Sequence, residues 1–156
     1  MADQLAPGGR FTVMQDGGAA YRTLVEQESH RFDTLRDESP CLVHSDFDPG
    51  NIRVHRTGDG WSVSGILDWE YAHSGSPLVD LGHILHPPAG AVPGFQQGLI
   101  SGYTGSGGKL PPGWRALSLL MELIAFVEFL SRPKAGSEVV LSACRAIQDT
   151  IQTWQA

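Results

Sequence analysis

Asp46, Asn51 and Asp68 are the side chains of this sequence best suited to chemistry, and they fall in one stretch, Cys41 to Tyr71. A short apolar run (Cys41, Leu42, Val43) leads into a polar loop, His44-Ser45-Asp46-Phe47-Asp48-Pro49-Gly50-Asn51, and two further apolar runs end abruptly at Asp68-Trp69-Glu70. Transfer of a phosphoryl group from a nucleotide to a hydroxyl asks little covalent chemistry of a protein. It asks for a carboxylate that orients the hydroxyl and for hard oxygen ligands that hold magnesium against the phosphates. Two carboxylates and an amide supply that set.

The elements around these residues must bring them together. Ile52 to His55 reads as a strand, Arg56-Thr57-Gly58-Asp59-Gly60 as a turn, and Trp61, Val63 and Ile66-Leu67 as the return strand, because Asp-Gly between alternating apolar residues is a hairpin signal. Asn51 leaves one end of this hairpin and Asp68 the matching end. The loop and the Asp-Trp-Glu run are therefore expected side by side.

In the kinase pattern, His-x-Asp is followed five residues after its Asp by a metal-binding Asn, and later by a second metal-binding Asp. His44-x-Asp46, Asn51 and Asp68 repeat that order and spacing. The stretch resembles the catalytic half of the aminoglycoside phosphotransferase and choline kinase-like family. That family typically has Gly between the His and the Asp and Pro-Gly before the Asn; Ser45 departs from this, and Pro49-Gly50 fits. Gly75-Ser76-Pro77-Leu78-Val79-Asp80-Leu81 and the segment Phe95 to Tyr103, with its Gly102-Tyr103 pair, are similar to the family's continuation. The resemblance implies a protein kinase-like large lobe that uses ATP or GTP with magnesium and a small-molecule hydroxyl acceptor. It implies that Asp46 accepts or orients the acceptor hydroxyl, that Asn51 and Asp68 hold magnesium, that His44 braces the loop, and that Asp80 anchors the loop backbone from the next helix.

Composition limits the alternatives. A chain of 156 residues with 41% apolar and 18% charged content is one globular domain by the usual prior. A net charge of −6 disfavours a nucleic-acid partner and suits a cationic substrate. No apolar run reaches the ~18 residues of a membrane span, and Met1-Ala2-Asp3-Gln4 opens no signal peptide. Cys41 and Cys144 lie far apart in apolar surroundings, as buried reduced thiols of a cytoplasmic protein would.

In chain order, residues 1–16 read as a flexible leader with a short strand at Phe11 to Met14. Asp16 can cap a helix from about Gly18 to Asp37, where Tyr21, Leu24, Glu28, Phe32 and Leu35 recur at helical steps. The rest, residues 17–156, reads as the lobe, with its catalytic loop at 44–51, Asp-Trp-Glu at 68–70 and a helical part at 77–156. Pro77 begins a helix to about Leu85, a glycine-interrupted helix covers Phe95 to Tyr103, and Trp114 to Leu130 forms a helix apolar all round at Leu123 to Val127, which implies a central buried helix. After Pro133, Ser137 caps a last helix whose face is Val140, Cys144, Ile147, Ile151 and Trp154. The expected fold is α+β, mainly helical: a small catalytic hairpin packed on about five helices.

The family's small lobe, with its glycine-rich lid and strand lysine, does not fit before the loop. Five strands, a helix and their connections take about 60 residues, and 43 residues precede His44. The lysines are Lys109 and Lys134, both beyond Asp68. The expectation is a large lobe alone, with the nucleotide-clamping lobe absent, which makes the isolated chain an incomplete catalyst. A rival reading is a truncated or split lobe that binds a ligand, a second copy of itself or a partner chain carrying the missing half. A weaker one is a metal-dependent hydrolase built on Asp46, Asp68 and nearby histidines.

Several residues have a bland reading beside a functional one. Asp48 suits a turn better than a substrate contact. Glu70 divides evenly between a cationic substrate and a loop cap. Glu122 and Glu128 interrupt an apolar helix, and they either bind a substrate amine or, as the favoured reading has it, point to solvent. His83 and His86 sit three apart, a weak zinc pair without a third ligand. His55 and His73 read as exposed turn histidines, and Gly105 to Gly108 as a flexible loop.

Overall fold

The computed structural model describes residues 23–131, 144–151 and 154, with side chains in the helix ending at Ser131 described through Phe126. The expected leader, the strand at Phe11 to Met14, the Asp16 cap, the break at Pro133, the Ser137 cap and the Glu128 side chain lie outside the described residues. The described chain is mainly helical, with two small antiparallel sheets. It divides into two compact units, Thr34–Ser118 and a second made of Met1–Asp33 with Leu119–Ala156.

The first unit carries the loop. Strand β1 (Cys41–Val43) enters it, and β2 (Ile52–Thr57) leaves it and pairs with β3 (Gly60–Ile66). The turn is tighter than Arg56–Gly60, because pairing persists to Thr57 opposite Gly60 and leaves two residues, Gly58 and Asp59, at the tip. A bulge sits between Arg53 and Val54, where Ser64 is the extra residue on β3 and its Oγ donates to the Arg53 carbonyl at 3.2 Å. The bulge shifts the alternation of β3 by one, so Ile66 and Val63 oppose Ile52 and Val54. Two apolar pairs therefore line up along the ribbon.

A fourth strand, β4 (His73–Gly75), pairs antiparallel with β1, Val43 opposite His73 and Cys41 opposite Gly75; Cys41 is exposed, which corrects the expectation of a buried thiol there. His73 is thus a strand residue and not a turn histidine, and His55 likewise lies within β2. Helix α2 (Leu78–Ile84) follows, burying Leu78, Leu81 and Ile84 at helical spacing, with Leu85 behind them. Gly90 is required by close approach, since a Cβ there would collide with the Leu85 carbonyl. Helix α3 (Phe95–Gly105) and the start of α4 (Trp114–Ser131) complete the unit.

In the second unit, helix α1 (residues 23–28) tightens into a 3-10 helix over Ser29–Leu35 and does not continue as one α-helix to Asp37. The sequence SHRFDTL consists largely of weak helix formers. Ser29 Oγ donates to the Glu26 carbonyl and His30 Nδ1 lies 3.1 Å from the Gln27 carbonyl, so both side chains compete with the helical ladder. Leu24, Leu120, Leu123, Ile147 and Ile151 form the core of this unit, joining α1, α4 and helix α5 (residues 144–151), with Phe32, Phe126 and Trp154 packed against it. Arg31 pairs with Glu28 and lies over the Trp154 ring. Its guanidinium holds the Glu28 carboxyl below the usual carboxylate value.

Helix α4 is apolar over Leu123 to Val127 as expected but is not buried all round. Leu123 is fully buried, whereas Ile124 is 40% exposed, because a second helix covers only the stripe it touches. Among the described residues no helix is long and apolar enough to cross a membrane.

Candidate active site

The loop from His44 to Asn51 is largely polar, and a set of hydrogen bonds fixes it. Asp80, in the first turn of α2, supplies two of them: Oδ2 accepts the His44 N–H at 2.8 Å and Oδ1 accepts the Ser45 N–H at 2.9 Å. The carboxylate thus takes two backbone donors at the start of the loop, each bond strengthened by its charge.

His44 is 1% exposed. Its Nδ1 accepts the Asp46 N–H at 3.3 Å, so the ring proton sits on Nε2, which donates to the Leu67 carbonyl at 2.8 Å. The Trp69 ring packs on it with centroids 4.6 Å apart. His44 therefore ties the loop to the residue before Asp68.

Ser45 has φ +66°, the left-handed region that a glycine enters without cost. Its Oγ lies 2.9 Å from His73 Nδ1 on β4. The left-handed backbone costs about 1–2 kcal/mol for a non-glycine residue, and one neutral hydrogen bond returns about 0.5–1.5 kcal/mol. Ser45→Gly should then leave stability within about 1 kcal/mol of wild type, while Ser45→Ala, which keeps the strain and loses the bond, should be less stable than Ser45→Gly by about 1 kcal/mol. Urea denaturation of the three proteins checks the order, and an alanine variant as stable as the glycine variant would contradict it.

Asp48 caps the 3-10 turn Pro49–Asn51 by accepting the Gly50 N–H at 2.7 Å. It is exposed and engaged in the turn, so its geometry follows the bland reading. That turn aims Asn51 back at Asp46: Asn51 Nδ2 donates to the Asp46 carbonyl at 2.9 Å and to Asp46 Oδ2 at 3.1 Å. The Asn51 carbonyl accepts the Leu67 N–H at 2.9 Å, which carries the link across to the end of β3.

Asp68 itself has φ +67° and ψ +54°. Aspartate is among the few non-glycine residues that tolerate this region, and the left-handed step turns the chain sharply into the 3-10 helix Trp69–Tyr71, where Trp69 Nε1 bonds the Ile66 carbonyl at 2.8 Å. The Asp68 side chain is exposed and makes no capping hydrogen bond. Loop and strand end thus bring Asp46, Asn51 and Asp68 to one corner of the unit.

The donor chemistry of this corner fits magnesium. Asn51 makes both its side-chain hydrogen bonds through Nδ2, which leaves Oδ1 as an oxygen donor, and Asp68 adds a carboxylate that no cap occupies. Magnesium takes one or two protein oxygens and completes its octahedron with water and phosphate. Among the described residues no three His, Cys, Asp or Glu side chains group as an all-protein metal site, so His83 and His86 gain no third such ligand there.

The structure places His83 elsewhere: its Nε2 lies 3.7 Å from Asp46 Oδ1. The signal was present in the spacing, since residues three apart on a helix share a face and Asp80 already touches the loop from that face. Of the remaining candidates, Glu70 is exposed in the turn after Asp68. Glu122 is 2% exposed on α4, which corrects the expectation that it points to solvent, and it belongs to the second unit.

A model of the phosphotransferase enzyme family matches residues 14–120. Over 48 residues the chain is 44% identical to acyl-CoA dehydrogenase family member 11 of Mus musculus, a match covering 31% of this chain and 6% of that protein. The chain thus spans a small fraction of the length of this relative, and the activity in its name is a property of that protein. No solved structure matches.

Proposed function

The chain belongs to the phosphotransferase enzyme family, and on that premise we propose that the corner formed by Asp46, Asn51 and Asp68 transfers the terminal phosphoryl group of ATP or GTP to a hydroxyl of a small, cationic molecule, within a protein kinase-like large lobe. The observation that carries this reading is the double link through Asn51, whose side chain holds Asp46 and whose carbonyl holds the end of β3. Asp46 Oδ2 is engaged by Asn51. Its Oδ1 is the oxygen left to accept the acceptor's hydroxyl proton as the new oxygen–phosphorus bond forms. Asn51 Oδ1 and the Asp68 carboxylate would hold magnesium, which neutralises charge on the phosphates during transfer. His44 and Asp80 keep these groups in place and touch no substrate.

A phosphorus NMR time course of the protein with ATP, magnesium and a pool of amino alcohols tests the reading. A phosphomonoester resonance should grow as ATP is consumed, and removing magnesium with EDTA should stop it. Unchanged ATP with magnesium present, or phosphate release that needs no nucleotide, would contradict it.

A second reading is a non-catalytic module that binds a partner chain or a second copy of itself. It is favoured by the outer half of the hairpin, where Trp61 is 70%, Val63 61% and Val54 53% exposed. A two-stranded ribbon is marginal in water without something packed on it. Nucleotide binding without transfer, gained only with a second chain present, is the outcome this reading expects.

A further inference from the structure

Helix α3 buries none of its residues, although Phe95, Leu99, Ile100 and Tyr103 are apolar or aromatic. Gly94, Gly98 and Gly102 recur every four residues along it, and a Cβ built on any of them meets nothing within 4 Å. Two of the three lie inside the helix, where each glycine costs about 1 kcal/mol relative to alanine. No group of this unit fills the space they leave. That space is an open cleft of about 880 Å³, walled by Leu42, Phe47, Phe95, Leu99 and Tyr103. Its size falls within the roughly 300–1,000 Å³ of small-molecule sites, as does its lining of apolar walls with a few polar groups.

The charge around the cleft is one-sided. Asp80 is the sole charged residue among its walls, and no lysine, arginine or histidine lines it. Cys41 is exposed, yet partial desolvation raises its thiol pKa and the carboxylates of Asp80 and Glu38 raise it further; burial raises the Tyr103 phenol, with Cys41 and Glu38 adding to the shift. Desolvation leads both shifts, and Glu38 is the carboxylate that the two acids share; a negative group beside the cleft repels an anion and attracts a cation. Asp46 is not among the walls, so the cleft is distinct from the phosphoryl-transfer corner.

We propose that the cleft between β1 and α3 binds a small amphiphilic amine, its apolar body against Leu42, Phe47 and Leu99 and its ammonium group toward Asp80 and Glu38. The proposal stands apart from the phosphotransferase reading, because it needs neither nucleotide nor metal.

Calorimetric titration at pH 7 with octylamine, octanol and octanoate, each below its micellar concentration, tests it. Octylamine should bind tightest, octanol more weakly, and octanoate at least tenfold more weakly than octylamine. Gly98→Leu with Gly102→Leu fills the cleft, improves helix propensity, and should weaken octylamine at least tenfold with the circular dichroism retained. Leu42→Arg, at a position 67% exposed, should reverse the preference toward octanoate without touching the helix. Asp68→Asn should leave octylamine binding unchanged, so failure here and failure of the phosphoryl-transfer reading are separable. Equal binding of amine and acid, undiminished binding by the double leucine variant, or no heat from any of the three compounds would overturn the proposal.

Discussion

Asp80→Ala should lower the unfolding free energy by about 3 kcal/mol. Asp80 accepts two backbone N–H groups, from His44 at 2.8 Å and Ser45 at 2.9 Å. Alanine leaves both donors without their partner beside a histidine that is 1% exposed, where water cannot readily replace the carboxylate. Hydrogen bonds to a charged group contribute about 1.5–3 kcal/mol each, and relaxation of the loop recovers part of the sum. With a urea m-value of about 2 kcal/mol/M, the midpoint should fall by roughly 1.5 M. Asp80→Asn retains one accepting oxygen and should lose about half as much. Tryptophan fluorescence follows the transition, since Trp69 packs on His44. A change below about 1 kcal/mol for the alanine variant would mean that α2 does not hold the loop.

Asp46→Asn should slow phosphoryl transfer by about 10²–10⁴-fold, the usual contribution of a positioned general base. The substitution is nearly isosteric, and its amide oxygen can still accept from Asn51 Nδ2, so the loop geometry should persist. What is lost is the negative charge at Oδ1, 3.7 Å from His83 Nε2, and with it the affinity for the acceptor proton. Because Asp46 is not one of the proposed metal ligands, affinity for magnesium–nucleotide should change by less than about threefold, well under the ~1.4 kcal/mol of a tenfold shift. A rate within tenfold of wild type would remove Asp46 from its role.

The loop and the hairpin could be read in advance because their signals are local. Asp48-Pro49-Gly50 encodes a capped turn through side-chain and ring geometry alone, and Asp59-Gly60 marks the hairpin, although its two-residue tip falls one residue earlier, at Gly58-Asp59. The convergence of Asn51 and Asp68 followed, since two ends of one ribbon are adjacent whatever the rest of the fold does. The long helix at Trp114–Ser131 and the shorter one at Leu78–Ile84 were likewise visible in their apolar spacing and in Pro77.

What escaped the sequence depends on distant partners. His73-Ser74-Gly75 has no apolar alternation, and it is a strand only because β1 supplies its hydrogen bonds. Ser45 combines a left-handed backbone with a bond from its N–H to Asp80, 35 residues away in sequence. The bulge at Ser64 decides which apolar residues oppose one another, and no composition rule marks it. The solvent exposure of Ile124 and the burial of Glu122 were both misjudged, because an all-apolar run does not say which stripe its neighbours cover.

Calorimetric titration of the protein with ATP, in the presence and absence of magnesium, tests the central claim most directly, with Asp68→Asn as the control. Asparagine keeps the left-handed backbone at this position and removes only the charge. The account predicts binding that requires magnesium and is lost in the variant. Nucleotide binding indifferent to magnesium and to the substitution, or no binding at millimolar ATP, would contradict it.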